Sequence, residues 1–242
     1  MVPLEGIPEL AEGDDLAREL HESALRAGGL ADGDVVVVAQ KAVSKVEGRV
    51  VRLGEVEASE RARELAGPDG DPRQLEVILR ESAKVVRSRA PLVIAETRHG
   101  FVCASAGVDA SNAPEEGSLV LLPLDPDASA RGLRERLAEL AGIDLGVIVS
   151  DSFGRAWRQG TTDVALGVAG LAPLRDLRGT LDAAGHELRT TQIAVADEIA
   201  GAAELVLGKA AGIPAARVRG VDARGDGRGV DLVMPRERDL FR

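Results

Sequence analysis

The residues best suited to chemistry lie between positions 149 and 160. An apolar strand runs directly into Asp151 and Ser152, and a glycine-broken loop that carries Arg155 and Arg158 follows. A carboxylate beside a hydroxyl supplies the hard oxygen ligands that Mg²⁺ or Mn²⁺ prefers. The two guanidinium groups could hold phosphate or carboxylate oxygens in bidentate fashion. The segment predicts a site for a divalent cation and an anionic substrate, although a solvated turn with ordinary ion pairs would use the same residue types.

Three other segments carry weaker signals of the same kind. A run of small residues contains Asp109, and because a cation site needs more than one carboxylate, we expect Asp109 and Asp151 to lie together. Residues 37–48 place two lysines and a serine just beyond a buried strand, where they could meet polyphosphate or form the solvated face of a helix. Asp197 and Glu198 open a helix, where complementing the helix dipole explains two acids without catalysis.

Glycine-rich stretches elsewhere do not match a Walker phosphate loop. Residues 225–229 lack the Lys-Ser/Thr ending and precede an apolar run that predicts a strand, not a helix. Gly208 and Lys209 lack both the hydroxyl residue and the glycine spacing that the motif requires. His186 could begin a zinc-protease motif, but Thr190 stands where the second histidine should be. We therefore expect a site that is neither of the Walker type nor built on zinc.

Strands and helices alternate along the chain, which predicts an α/β fold with a mixed α+β sheet and flanking helices. Apolar runs predict strands at residues 35–39, 92–95, 119–122 and 147–149, and helical spacing predicts helices at 16–27, 71–86, 129–141 and 194–207. Asp127 and Ser129 are the candidate caps of the third helix, and His99 with Gly100 predicts a hairpin turn. No linker divides the chain, so we expect a single compact domain over residues 1–242.

Composition argues against several classes of partner. The formal net charge is −10, no stripe of Lys or Arg stands out, and only 2% of residues are aromatic, which argues against nucleic-acid binding. No apolar run approaches the ~20 residues that cross a bilayer, and the N-terminus has no basic segment followed by an apolar one. The single cysteine, Cys103, cannot form an internal disulfide. We expect a cytoplasmic protein with no membrane partner.

Taken together and in order, these segments resemble the coenzyme F-420:L-glutamate ligase family. The resemblance covers nearly the whole chain and rests on residues 6–10, 13–15, 34–48, 107–112, 150–162 and 194–202. Its most specific strings are Asp-Ser-Phe-Gly-Arg-Ala-Trp-Arg from Asp151 and Ala-Gly-Val-Asp-Ala-Ser-Asn from Ala106. It implies a mixed α/β domain outside the Walker group that forms an intertwined homodimer. It also implies the stand-alone form, without the nitroreductase-like domain that some actinobacterial relatives carry.

The resemblance implies a pair of divalent cations, Mg²⁺ or Mn²⁺, in each site. Asp109 and Asp151 would hold the first cation, and Ser152 with Glu198 would hold the second. Ser152 stands where relatives frequently have threonine, a change that keeps the hydroxyl group. K⁺ is a further ion that the resemblance allows.

The resemblance also implies a guanine-nucleotide site that accepts GTP. The residues that would contact the nucleotide are Ile7, Pro8, Glu9, Leu10, Gln40, Lys45 and Asn112. Gln40 departs from the serine that relatives often have. Arg155 and Arg158 are the candidates for clamping phosphate or a substrate carboxylate during catalysis.

The implied reaction joins L-glutamate to the deazaflavin precursor F-420-0, with further γ-linked glutamates as an extension. GTP would phosphorylate the acceptor carboxylate, and the glutamate amine would attack the resulting acyl phosphate. Two other functions use the same residues: a divalent-metal-dependent phosphohydrolase, in which water replaces the acceptor, and a non-catalytic nucleotide-binding subunit. Acceptor-dependent release of GDP would separate the three.

Overall fold

The structure, a computed structural model, describes residues 1–241. In chain order the strands are β1 (Val2–Pro3), β2 (Val35–Ala39), β3 (Val50–Arg52), β4 (Ser82–Arg89), β5 (Leu92–Thr97), β6 (Val102–Ala104), β7 (Ser118–Val120), β8 (Gly146–Arg155), β9 (Arg158–Ala169), β10 (Arg175–Asp176), β11 (Gln192–Ile193) and β12 (Ala215–Val218). The helices are α1 (Leu16–Arg26), α2 (Gln40–Val46), α3 (Glu60–Ala66), α4 (Pro72–Glu81), α5 (Pro126–Ala141) and α6 (Val195–Leu207). The predicted α/β class, with a mixed sheet, is confirmed.

A five-stranded sheet in the order β1-β12-β2-β8-β9 forms the centre of the fold. β2 and β8 run parallel, whereas the other neighbouring pairs are antiparallel. Val36 and Val38 pack into a core with α1 and α5, while Val35 and Val37 pack into a second core with α6. Because successive side chains of a strand point to opposite faces, a strand covered on both sides needs an apolar residue at every position. The four consecutive valines of β2 meet that need.

A second sheet, β4-β5-β6, packs with α3 and α4 around a third core. Its β5–β6 hairpin turns at His99 and Gly100, as predicted, and the backbone N–H of Thr97 donates to the carbonyl of Phe101 at 2.8 Å. β3 pairs with β7 beside this unit. The single domain over residues 1–242 stays a prediction.

The helix predicted over residues 71–86 is too long. α4 ends at Glu81, and Ser82 closes it by donating its hydroxyl to the carbonyl of Ile78 at 2.6 Å. The next residues form β4, which pairs with β5 through two irregularities in register. Val85 and Val86 are β-branched and favour a pleated strand over a helix. Residues 82–86, which helical spacing alone assigned to the helix, therefore belong to strand β4.

Asp127 has a different role from the predicted helix cap. The cap of α5 is Asp125, whose side chain accepts from the N–H of Ala128 at 2.9 Å. The carboxylate of Asp127 is buried and accepts from the N–H groups of Val168 at 2.9 Å and Gly229 at 2.6 Å. It therefore ties α5 to β9 and to the C-terminal part of the chain.

The strand predicted after residues 225–229 is wrong. Residues Gly229–Leu232 form a 3₁₀ turn that packs on β9. A Cβ on Gly229 would lie 2.2 Å from the carbonyl oxygen of Leu166, so only glycine permits this contact. The glycines therefore serve close backbone packing.

No helix within residues 1–241 is long and apolar enough to span a membrane.

Candidate functional site

The parallel β2–β8 pair brings two of the predicted segments together. Ala39 at the end of β2 is in register with Ser150 on β8, so Gln40 at the start of α2 stands beside Asp151. Ligands of α/β sheets collect outside the carboxyl ends of such strands. The position predicted from the sequence for Asp151 and Ser152 is therefore the one that the fold provides.

A cleft with a volume of about 230 Å³ opens at this edge of the sheet, and we call it the polar cleft. Nine of the predicted site residues line it: Ile7, Pro8, Glu9, Leu10, Gln40, Lys45, Asn112, Asp151 and Ser152. The other lining residues that the argument uses are Lys41, Ser150, Asp163, Glu204, Gly208 and Lys209. Segments far apart in the sequence thus converge on one cavity.

Two serines and an aspartate form a hydrogen-bonded group on the floor of the polar cleft. Ser152 Oγ donates to Asp163 Oδ1 at 2.6 Å, and Ser150 Oγ donates to Asp163 Oδ2 at 2.9 Å. The backbone N–H of Asp163 in turn donates to Glu204 Oε2 at 3.2 Å. These contacts fix the Ser152 hydroxyl, and they place two carboxylates beside it that the sequence did not single out.

Lys41 connects Asp109 to the polar cleft. Its ammonium group donates to Asp109 Oδ2 at 2.6 Å and to the carbonyl and hydroxyl of Ser111 at 2.8 and 2.5 Å. Burial by itself would raise the pKa of Asp109, but the hydrogen bonds from Lys41 and Ser111 outweigh it and leave that pKa lowered. Asp109 therefore presents carboxylate oxygens at the margin of the cleft, where they already bind the ammonium group of Lys41.

Asp151 is electrostatically different from Asp109. Burial raises the pKa of its carboxyl to about 6, helped by the negative charge of Asp163. The N–H of Ser152 and the charges of Lys209 and Lys41 act in the opposite direction without cancelling this rise. A carboxylate held above its ordinary pKa in a cleft is typical of a functional site.

Two further predicted residues stabilise the cleft wall. Lys45 forms an ion pair with Glu9, which joins the N-terminal segment to α2. The buried amide of Gln40 donates to Ser44 Oγ at 2.6 Å and to the carbonyl of Leu121 at 2.7 Å. Both contacts hold the surfaces that face the cavity.

Four predicted residues are not among those that line the polar cleft: Asp109, which bonds to Lys41 at its margin, and Arg155, Arg158 and Glu198. β8 and β9 stay paired as far as Gly154 and Thr161, so the predicted loop is instead a projecting hairpin, which we call the arm. Arg155 and Arg158 stand at its exposed tip. Glu198 is exposed on the first turn of α6. The cation and clamping roles of these residues stay predictions.

The sequence reasoning missed the segment that follows α6. Gly208 ends α6 with a φ of +58°, and Lys209 beside it lines the polar cleft. This Gly-Lys pair is visible in the sequence but fails the Walker pattern, since it ends a helix instead of beginning one. A lysine directly after a helix-ending glycine was the available signal.

These features define a class of protein. It is an α/β protein with a small-molecule cleft at the carboxyl ends of its parallel strands, and the cleft is lined by lysines and by carboxylate and hydroxyl oxygens. A sequence model described as F420-0:Gamma-glutamyl ligase matches residues 6–220. The chain belongs to the F420-0:gamma-glutamyl ligase family, which confirms the resemblance noted in the sequence.

Curated relatives match along nearly their whole length. The coenzyme F420:L-glutamate ligase of Methanothermobacter thermautotrophicus is 46% identical over 249 residues, with 100% of this chain and 98% of that protein covered. The enzyme of the same name from Methanopyrus kandleri is 46% identical, with 100% and 96% covered. That of Archaeoglobus fulgidus is 45% identical, with 99% and 95% covered.

Proposed function

We propose that the chain is a ligase that forms an amide bond between L-glutamate and the F420 precursor. The observation that carries the proposal is the convergence of nine predicted site residues on the polar cleft, in a chain 46% identical to two such ligases over its full length. The residues that line the cleft and the family of the chain both support this activity.

We propose that GTP is the energy source and binds in the polar cleft. The chain has a formal net charge of −10, so a polyphosphate needs local positive charge to bind. Lys41, Lys45 and Lys209 line the cleft together with the carboxylates of Glu9, Asp151, Asp163 and Glu204, so bound cations would supply the rest of that positive charge. The N-terminal segment, residues 7–10, provides an apolar wall with Ile7 and Leu10 suited to a base or a ribose.

The oxygen donors of the polar cleft fit a divalent cation that arrives with the nucleotide. Mg²⁺ is usually bound through one or two carboxylates together with phosphates and water. No three Asp, Glu, His or Cys side chains within residues 1–241 form a group that could hold a metal ion. Asp109 and Asp151 would hold one cation, and Ser152 with Asp163 beside it would hold the other. Bound cations would offset the negative charge of the phosphoryl group during its transfer.

The proposed chemistry has two steps. A carboxylate oxygen of the acceptor attacks the γ-phosphorus of GTP, the bond to the β–γ bridging oxygen breaks, and GDP leaves. The glutamate nitrogen then attacks the acyl carbon, the carbon–oxygen bond to phosphate breaks, and the amine proton goes to the departing phosphate. The lysines hold the phosphates in place, while Asp109 and Asp151 act as positioning ligands and not as nucleophiles.

We propose that Arg155 and Arg158 act in the polar cleft of a partner protomer. They lie outside the cleft of their own chain, at the tip of a projecting arm, which fits the expected intertwined homodimer. Mixing an Asp151→Asn variant with an Arg155→Ala, Arg158→Ala variant should then restore activity in the hybrid dimers. Light scattering that reports a monomer at micromolar concentration, or mixtures that stay inactive, would contradict this.

The decisive test of the function measures GDP with and without the acceptor. GTP and metal alone should give slow release of GDP, because the acceptor carboxylate, and not water, is the proposed nucleophile. Adding F420-0 and L-glutamate should accelerate release and yield a glutamylated product by mass spectrometry. Equal rates with and without the acceptor would indicate a phosphohydrolase. No GDP under any condition would indicate a non-catalytic nucleotide-binding subunit.

A further inference from the structure

A second cleft lies on the other side of the arm and plays no part in the chemistry above. Its volume is about 250 Å³, close to that of the polar cleft. Phe153, Val164 and Ala165 of the arm form one wall, and Phe101 of the β5–β6 hairpin forms another. Asp197 at the start of α6 closes the cavity. We call this the ring cleft.

The ring cleft holds an unusual share of the aromatic side chains. The chain has three Phe, one Trp and no Tyr, and two of the three Phe line this cavity. The rings of Phe101 and Phe153 meet edge to face with centroids 6.4 Å apart, and His99 stacks on Phe101 at 5.7 Å. The three buried cores are built from aliphatic residues. Aromatic walls at an open cavity therefore indicate a ligand with a ring, which such walls bind through offset or edge contacts.

Two carboxylates, Asp197 and Asp239, line the otherwise apolar ring cleft. Asp197 accepts a hydrogen bond from the backbone N–H of Ala165 at 2.9 Å. A carboxylate has capacity for several such bonds, so it can also accept from a ligand N–H. A mostly apolar cavity with a small number of polar groups is the usual form of a small-molecule site.

The two clefts use adjacent residues of the same two strands. On β8, Ser152 lines the polar cleft and Phe153 lines the ring cleft. On β9, Asp163 lines the polar cleft and Val164 lines the ring cleft. These neighbouring residues bring the two clefts together at the arm. A ligand with a ring at one end and an anionic group at the other could reach both clefts.

We propose that the ring cleft binds the planar heteroaromatic ring of the acceptor substrate. The ring packs against Phe101 and Phe153, and a ring N–H donates to Asp197. The acceptor carboxylate of the same molecule then lies toward the polar cleft. This inference rests on the proposed function, since the precursor of that reaction is a deazaflavin.

The test fills the ring cleft and measures each substrate separately. Val164→Trp places an indole in the cavity, and Phe153→Leu removes a ring while keeping an apolar side chain of similar size. Leu25→Trp, at an exposed position of α1 outside both clefts, is the matched control. Binding is followed by fluorescence of a 5-deazaflavin that carries only a ribityl chain, without nucleotide. Steady-state kinetics give the KM of F420-0 and that of GTP.

Val164→Trp should weaken binding of the ring probe and raise the KM of F420-0 by about tenfold or more, because the indole would occupy the volume that the ring needs. Phe153→Leu should act in the same direction by about threefold. The KM of GTP should stay within about twofold in both, as in the control. If Val164→Trp does not fold, Phe153→Leu carries the test alone.

Other outcomes would overturn the inference. Unchanged probe affinity in a folded Val164→Trp variant would leave the ligase function in place and remove the ring site. Loss of self-association in that variant, with unchanged probe affinity, would assign the cavity to contact with a second copy of the chain. If the wild type binds the probe but forms no glutamylated product, the proposed function fails while the ring cleft stands.

Discussion

Two acids mark opposite ends of the parallel β2–β8 pair, in opposite surroundings. Asp34 directly precedes β2, is fully buried, and accepts hydrogen bonds from Arg219 Nε and Nη2 at 2.7 and 2.8 Å. Burial alone would raise its pKa, but those hydrogen bonds and the one from the N–H of Ala31 leave the pKa lowered. Asp151, at the other end, keeps a pKa raised by burial to about 6, because Lys209 and Lys41 compensate it only partly.

The contrast separates a structural acid from a functional one. Asp34 has a guanidinium partner and contributes to the stability of the fold, as buried charges do when they are paired. Asp151 lacks that compensation, so the folded chain holds its negative charge at a cost in stability. Such a cost is expected where a cation binds only together with a substrate. The two ends of one strand pair should therefore respond oppositely to mutation and to pH.

The largest expected effect is the loss of activity in Asp151→Asn. Removing the carboxylate should reduce turnover by about a thousandfold or more, because a charge that positions metal and phosphate is lost. The free energy of unfolding should stay unchanged or rise, since an uncompensated charge disappears. Activity assays measure the turnover, and urea unfolding measures the free energy of unfolding. A variant that unfolds would make Asp151 a structural residue like Asp34, and a folded variant that keeps its activity would exclude Asp151 from the site.

Asp34→Asn should show the reverse pattern. Breaking its pair with Arg219 should lower the free energy of unfolding by about 3 kcal/mol, while the folded fraction keeps its turnover. Asp144→Asn is the matched control, because its ion pair with Arg134 is exposed and should contribute less than about 1 kcal/mol. Urea unfolding of both variants measures how much free energy of unfolding each one loses. Equal losses would mean that burial at Asp34 adds nothing to the pair.

Much of the fold could be predicted because burial leaves a direct mark on the sequence. Four consecutive valines indicated β2 with its observed bounds, and apolar residues at helical spacing indicated α1. Where the prediction was wrong, contacts with distant residues decided the structure. Strand pairing with β5 ended α4 early, and packing against Leu166 set the conformation of Gly229.

The candidate site was predicted in part for the same reason. Asp151 and Ser152 follow an apolar strand, so their place at the sheet edge could be inferred. Asp163 could not, because it lies inside the twelve-residue strand β9 and reaches the cleft only through its pairing with β8. Residues 151–158 form one motif in the sequence. In the structure, Asp151 and Arg158 are separated along the length of the arm.

The third prediction is that the two acids give opposite pH dependence of stability in metal-free protein. The folded pKa of Asp151 lies above its ordinary value, so between about pH 4 and 6 the folded state binds more protons than the unfolded state. Stability relative to Asp151→Asn should fall by about 2 kcal/mol as the pH rises through that window. The Asp34 contribution is present above its ordinary pKa and is lost as the pH falls through its lowered value. Urea unfolding across pH 3–7 checks both, and parallel slopes would contradict the contrast.

The smallest expected effect concerns the partial compensation of Asp151. Lys209 lowers the pKa of Asp151 through its charge and lines the polar cleft, so it should meet a nucleotide phosphate as well. Lys209→Met should weaken nucleotide binding about tenfold, the loss of one charge-assisted contact. Lys84→Met, at an exposed position of β4 outside the polar cleft, is the matched control and should bind normally. Calorimetric titration with GTP and Mg²⁺ measures both. If the two variants bind alike, Lys209 makes no phosphate contact, and the segment after α6 only forms part of the cleft wall.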